Sequence, residues 1–163
     1  MQGHNHMLVN LAAGPVVGHY LANWLGLDLS WWQLVWFTLV TVAAARLPDQ
    51  IECFRLLGHR TWSHSLLLFT GMCWGAGMLN HSCSLGYELT ILGLITGFGL
   101  HLAADMFSKQ GITLVGLGPR IRFGVYTTGK FSEVVIAGLV FAGFLVWGIW
   151  LWWLHSQKVL GQT

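Results

Sequence analysis

Five apolar stretches, separated by short polar segments, take up most of this 163-residue chain. Several approach the roughly 20 residues that a helix needs to cross a bilayer. Hydrophobic residues make up 55% of the chain and charged residues only 9%, whereas an ordinary soluble domain is about 25% charged. So little charge cannot cover the water-exposed surface of a protein of this size. The sequence therefore predicts an all-α, polytopic integral membrane protein, with apolar stretches at residues 7–27, 31–47, 65–80, 85–107 and 134–154.

We expect about five transmembrane helices, four strong and one weaker, in a single domain over residues 1–163. The first stretch is the weaker one, because Pro15 and His19 interrupt it. Two longer polar loops, 47–64 and 108–132, then lie on the same side of the membrane. These loops and their borders hold seven of the eight Lys and Arg residues, and only Lys158 follows the fifth stretch.

That asymmetry predicts the orientation of the chain. Short loops rich in Lys and Arg stay on the cytoplasmic side of a membrane. We therefore expect a cytoplasmic N-terminus and a C-terminus outside. A net charge of +2 does not indicate a nucleic-acid partner, and the basic loops suit anionic lipid headgroups. Membrane lipid is thus the expected partner, and the sequence does not indicate the oligomeric state.

Within this topology, the residues able to bind a metal gather at the cytoplasmic edge. His101 and Asp105 are four residues apart in an apolar stretch, so they share one helix face. Ionisable groups inside a span are rare and usually functional. His59 and His64 bracket a turn before the third stretch, and Asp49 begins the same loop. The predicted ligand set is His6, Asp49, His59, His64, His101 and Asp105.

Each of these residues also has a simpler interpretation. His101 and Asp105 could form only a hydrogen bond within the membrane, and His59 and His64 could be interfacial histidines. Asp49 could cap a short helix, since Asp is common at that position. His6 is less certain, because it belongs to an N-terminal segment with two histidines. Glu133, on the same face, is a candidate for supporting the ligands from behind.

Other catalytic chemistries lack their signatures. No C-x-x-C pair, no G-x-S-x-G and no H-E-x-x-H is present. The glycine-rich stretch 111–118 lacks the Lys-Ser/Thr of a phosphate-binding loop. It is better described as a turn-rich loop that ends at Pro119.

Three ordered motifs resemble those of a known family. They are LPD at 47–49, HRTWSHS at 59–65, and GFGLHLAADMFSKQG at 97–111, which is followed by GLGP at 116–119. This order is similar to the YdjM-type family of bacterial inner-membrane, predicted metal-dependent hydrolases. The early His6, and the Gly129 to Glu133 segment, also resemble the family pattern. The chain departs from it at Ile51, where the family has an acid, and keeps hydroxyl groups at Ser63 and Ser108 where Thr is usual.

The resemblance implies a membrane-bound hydrolase in a bacterial inner membrane. His and carboxylate ligands suit Zn, Mn or Fe, and the number of His argues against Ca. A divalent ion held in this way activates water near neutral pH. Asp49 or Asp105 would be the general base, and Arg60 would pair with an anionic phosphoester or lipid-linked substrate. The alternative is a non-catalytic membrane protein with a structural or degenerate metal site that acts through protein partners.

Overall fold

The computed structural model describes residues 3–51, 62–79, 85–116 and 118–160. Within these residues the fold is mostly helical, with five long helices, one short helix and a two-stranded ribbon. In chain order the elements are α1 (Gly3–Leu25), α2 (Trp31–Ala44), α3 (Leu47–Ile51), α4 (Leu66–Leu79), α5 (Leu85–Phe107), β1 (Ile112–Thr113), β2 (Arg120–Ile121) and α6 (Phe131–Leu160). The predicted helix at 85–107 coincides with α5.

The expected count of four strong spans is wrong. Only two helices in the described part of the chain, Leu85–Phe107 and Phe131–Leu154, are long and apolar enough to cross a membrane. Helices α2 and α4 have 14 residues each. Such a helix rises about 21 Å, which is short of the roughly 30 Å hydrocarbon core. Ala45 and Leu47, beyond the end of α2, made its stretch look longer in the sequence, whereas the predicted stretch 65–80 differs from α4 only by Ser65 and Asn80.

Helix α5 is the centre of the bundle. It packs against α1, α2 and α4, whereas α6 packs chiefly along α1. The contact between α5 and α2 is very close at two glycines of α5. A Cβ at Gly93 would lie 2.9 Å from Val40, and one at Gly97 would overlap the carbonyl oxygen of Thr41. Small residues at such positions let two helix backbones approach each other.

The segment that follows α5 folds back over the end of the bundle. We call residues 108–130 the capping segment; its residue 117 lies outside the described residues. Strands β1 and β2 pair antiparallel, with Ile112 opposite Ile121 and Thr113 opposite Arg120. Ile112 is buried against Phe98 and Leu102 of α5. The predicted loop 108–132 therefore contains a short ribbon that is packed onto the central helix, and the second strand of this ribbon begins just after Pro119.

The close approach of α2 and α5 can be tested with a single methyl group. Gly97→Ala should destabilise the protein by about 1–3 kcal/mol, the usual range for overpacking, because its Cβ meets Thr41 and lies 2.7 Å from the Cβ of Ala44. Gly75→Ala in α4 is the matched control, because nothing lies within 4 Å of a Cβ there. Thermal unfolding of both variants in detergent measures the difference. Equal melting temperatures would contradict the close helix contact.

Candidate metal centre

Four chain segments bring their polar residues to one end of the bundle. His6 lies in the first turns of α1, and Asp49 lies in α3, just after α2. His64 precedes α4, whereas His101 and Asp105 lie near the C-terminal end of α5. The side chains of His6, His64, His101 and Asp105 are fully buried, and that of Asp49 is 33% exposed. The structure thus brings together five of the six predicted ligands.

The sixth predicted ligand, His59, and the predicted substrate-binding Arg60 lie outside the described residues. Asp49 is within the first turn of α3 and does not precede it. The helix-capping alternative for Asp49 is therefore wrong. Ile51 is half exposed at the end of the same helix.

Four side-chain atoms surround one small space. They are Asp49 Oδ1, His64 Nε2, His101 Nε2 and Asp105 Oδ2. The two imidazole nitrogens are 3.1 Å apart. The four distances between an imidazole nitrogen and a carboxylate oxygen run from 3.3 to 3.7 Å. A tetrahedral ion with ligands at about 2.0–2.2 Å holds its ligand atoms roughly 3.3–3.6 Å apart. The spacing therefore fits one divalent ion at the centre.

Backbone and hydroxyl groups orient the two imidazoles. The Nδ1–H of His101 donates to the carbonyl oxygen of Ala45 at 2.6 Å. Because a carbonyl can only accept, His101 Nε2 is left with its lone pair directed at His64. On the other ring, His64 Nδ1 is 3.0 Å from the hydroxyl oxygen of Ser63. Such outer partners set the tautomer and direction of a metal-binding His.

His6 extends this cluster on its buried side. Its Nε2 is 3.4 Å from Asp105 Oδ1, the carboxylate oxygen that faces away from His64. Its ring stacks on that of His101, with centroids 3.7 Å apart. His6, His101 and Asp105 form a second group whose ligand atoms are close enough to hold a metal ion. Asp105 thus connects the two groups through its two oxygens.

At the partly exposed edge of the site, the neighbouring histidines keep the carboxyl group of Asp49 ionised. Burial raises the pKa of the Asp49 carboxyl, but the contact with His64 and the nearby His101 and His6 lower it by more. Its pKa therefore lies below the usual value, and Asp49 is an anion at neutral pH. An ionised carboxylate beside imidazole nitrogens is the donor set that Zn, Mn and Fe accept.

Supporting contacts also reach the site from α6 and the capping segment. Glu133, buried at the start of α6, accepts from Asn5 Nδ2 and from the Gly129 backbone N–H, both at 2.6 Å. Because Asn5 precedes His6, this carboxylate ties the start of α1 to α6. The Thr113 backbone N–H donates to the His64 carbonyl at 3.0 Å. Sequence analysis proposed a supporting role for Glu133, but it missed Asn5, Ala45 and Thr113.

No protein-family model, curated protein or solved structure matches the chain. What the site can do therefore has to be inferred from its own geometry. Within the described residues, that geometry is a buried set of His and Asp groups able to hold a metal ion.

The role of Glu133 gives a direct prediction. Glu133→Gln leaves an amide nitrogen facing one of the two N–H donors, so the start of α1 loses part of its attachment. We expect the affinity for a divalent ion to fall about tenfold, as is common for residues behind a metal ligand. Titration of the metal-free protein with Co²⁺, followed by its absorption, measures this. Glu88→Gln, at the other end of α5, removes the same charge and should leave the affinity unchanged.

Proposed function

We propose that this protein is a membrane-bound, metal-dependent hydrolase with its site at the cytoplasmic edge of the membrane. The observation that carries the proposal is the 3.1 Å separation of His64 Nε2 and His101 Nε2. The lone pair of His101 Nε2 is directed at the other ring, and it accepts a hydrogen bond from His64 Nε2–H when the Ser63 hydroxyl donates to His64 Nδ1. A divalent ion can take the place of that shared proton, and it also compensates the fully buried carboxylate of Asp105 and the partly exposed one of Asp49.

The residues around the site suit hydrolysis of an anionic ester. A divalent ion held by these groups supplies a Lewis acid and lowers the pKa of a bound water towards about 7. Asp49, the partly exposed member of the set, is placed to accept a proton as a general base on the open side. Asp105 is the second candidate for that role. Arg60, beside His59, would pair with an oxygen of a phosphoester.

The membrane placement belongs to the same proposal. Helices α5 and α6 cross the bilayer, and α1, α2 and α4 lie within it beside them. The site end, with the capping segment and its Lys and Arg residues, faces the cytoplasm. Helix α6 begins at this end beside Glu133 and runs 30 residues away from it, so the C-terminus lies outside. A site at this depth suits a lipid-linked or membrane-presented phosphoester in a bacterial inner membrane, as the YdjM-type motifs imply.

One observation favours the second candidate, a structural metal site in a protein that acts through partners. Both imidazole nitrogens lie within 3.7 Å of an oxygen of Asp49 and of Asp105, so four protein ligands are available to one ion. Structural zinc sites are closed by four protein ligands, whereas catalytic ones keep an open position. Three of the four residues are fully buried. An ion that accepts five or six ligands, such as Mn or Fe, would still leave room for water. Metal content and turnover have to be measured separately.

Metal binding comes first. The purified protein should contain about one equivalent of a divalent transition metal, measured by elemental analysis. His64→Ala and Asp105→Ala should each reduce the content by at least about tenfold, because each removes a direct ligand. His19→Ala is the control, because it also removes a histidine, but one in α1 whose ring contacts Asn23 of the same helix and none of the five site residues. Metal that remains in both ligand variants would exclude this site.

Turnover then separates enzyme from structural site. With added Mn or Zn, the wild-type protein should hydrolyse bis(p-nitrophenyl) phosphate or a phospholipid. Activity should fall by about a hundredfold or more in His101→Ala, as expected for the loss of an interaction with the ion. Asp49→Asn keeps an oxygen ligand but loses the carboxylate, so turnover should fall by more than the metal content does if Asp49 is the base. A wild-type protein that holds metal without turning over either substrate would favour the structural alternative.

A further inference from the structure

The capping segment has an inner face that fastens it to the bundle. Ile112 and Ile121 pack towards α5. The Phe123 and Val125 backbone N–H groups donate at 2.8 Å to the carbonyls of Met106 and Phe107. These are carbonyls of the last turn of α5, which lack partners within the helix. The segment is therefore held at a fixed height, level with the C-terminal end of α5.

The outer face is basic and has no acidic residue. Residues 106–132 include no Asp or Glu. The exposed cations are Lys109, Arg120, Arg122 and Lys130. The two guanidinium groups contact only backbone carbonyls in the described residues, those of Gln110 and Lys109, at 3.4 Å. Most of their N–H donors thus remain available to an anion.

Large apolar side chains stand exposed among these cations. Phe123 is 62% exposed and Phe131 is 80% exposed, and Leu114, Val115 and Val125 are also exposed. Apolar area left in water costs roughly 25 cal/mol per Å² relative to an apolar environment. Aromatic side chains next to Lys and Arg are typical of the boundary between hydrocarbon and headgroups. There the aromatic rings contact the acyl chains and the cations contact the headgroups.

The position of this surface favours lipid over an acidic protein. It lies between the end of α5 and the start of α6, which are the two helices in the described residues that are both long and apolar enough to cross a membrane. The headgroup layer is at the ends of such helices. An acidic protein could pair with the cations, but it would not explain why they lie at the level of the headgroup layer.

We propose that the outer face of the capping segment binds the anionic phospholipid headgroups of the surrounding bilayer. Arg120 and Arg122 pair with the phosphates, and Phe123 inserts beside them into the acyl boundary. The inference rests on the membrane placement in the proposed function, but not on its metal chemistry. Metal content and lipid preference are separate measurements, so one can fail without the other.

Native mass spectrometry of the full-length protein in detergent tests the proposal. Phosphatidylglycerol and phosphatidylcholine with the same acyl chains are titrated in parallel. The wild type should bind phosphatidylglycerol more tightly. Arg120→Gln with Arg122→Gln should weaken phosphatidylglycerol binding by about fivefold per neutralised cation, roughly 25-fold in total, and leave phosphatidylcholine binding unchanged. Phe123→Ser should weaken both lipids.

Arg46→Gln is the matched control, because Arg46 is an exposed cation just after α2, outside the capping segment. It should weaken phosphatidylglycerol binding by no more than the roughly fivefold expected for one cation near the surface, well short of the roughly 25-fold loss in the double variant. Arg120→Lys with Arg122→Lys keeps both charges and should keep the preference. If the Gln pair does not fold, Lys109→Gln with Lys130→Gln replaces it, with the same expected loss.

Four results would overturn the proposal. One is a wild type without preference for phosphatidylglycerol, which would leave an acidic protein as the partner. Another is an equal loss in Arg46→Gln, which would show an effect of total charge only. The third is loss of the preference for phosphatidylglycerol in a folded Arg120→Lys, Arg122→Lys double variant, which keeps both charges. The last is full displacement of the lipid by millimolar glycerol phosphate, which would make the surface a site for free phosphate.

Discussion

The site depends on the convergence of like groups in a buried space. Two imidazole nitrogens face each other at 3.1 Å, and two carboxylates complete the set. Buried charges and lone pairs are costly unless they are compensated. A divalent ion among the four atoms would supply that compensation. The turn after α2 holds His101 through the Ala45 carbonyl, and the capping segment holds His64 through the Thr113 backbone N–H.

The ligands are held by packing at a distance from them. Gly97 lets α5 lie against the backbone of α2, and one turn later the same proximity brings His101 within 2.6 Å of the Ala45 carbonyl. A wider helix separation would lose that hydrogen bond and free the ring. Glu133 fixes the position of His6 indirectly, because its carboxylate accepts a hydrogen bond from the neighbouring Asn5. Helix packing and ligand orientation are therefore two aspects of the same contacts.

The sequence predicted which side chains meet at the site better than it predicted helix lengths and backbone contacts. The apolar pattern located the five long helices, and the alternation of sides placed His6, Asp49, His64, His101 and Asp105 together before any distance was known. Helix length was harder, because apolar residues such as Leu47 continue past the end of α2 and made it look like a full span. The Ala45 carbonyl had no sequence signal, because every residue has a carbonyl. The β1–β2 pairing was also missed, since two residues per strand are too few to show an alternation.

The order of the ligands along the chain has a consequence for biogenesis. His6, Asp49 and His64 leave the ribosome first, but His101 and Asp105 are nearly forty residues further on, in α5. The contact that holds His64 comes later still, from Thr113. A half-made chain thus carries three of the five groups and lacks the pair on α5. The centre is completed only after α5 has entered the bundle, so the binding of a metal ion there would be a late step in assembly.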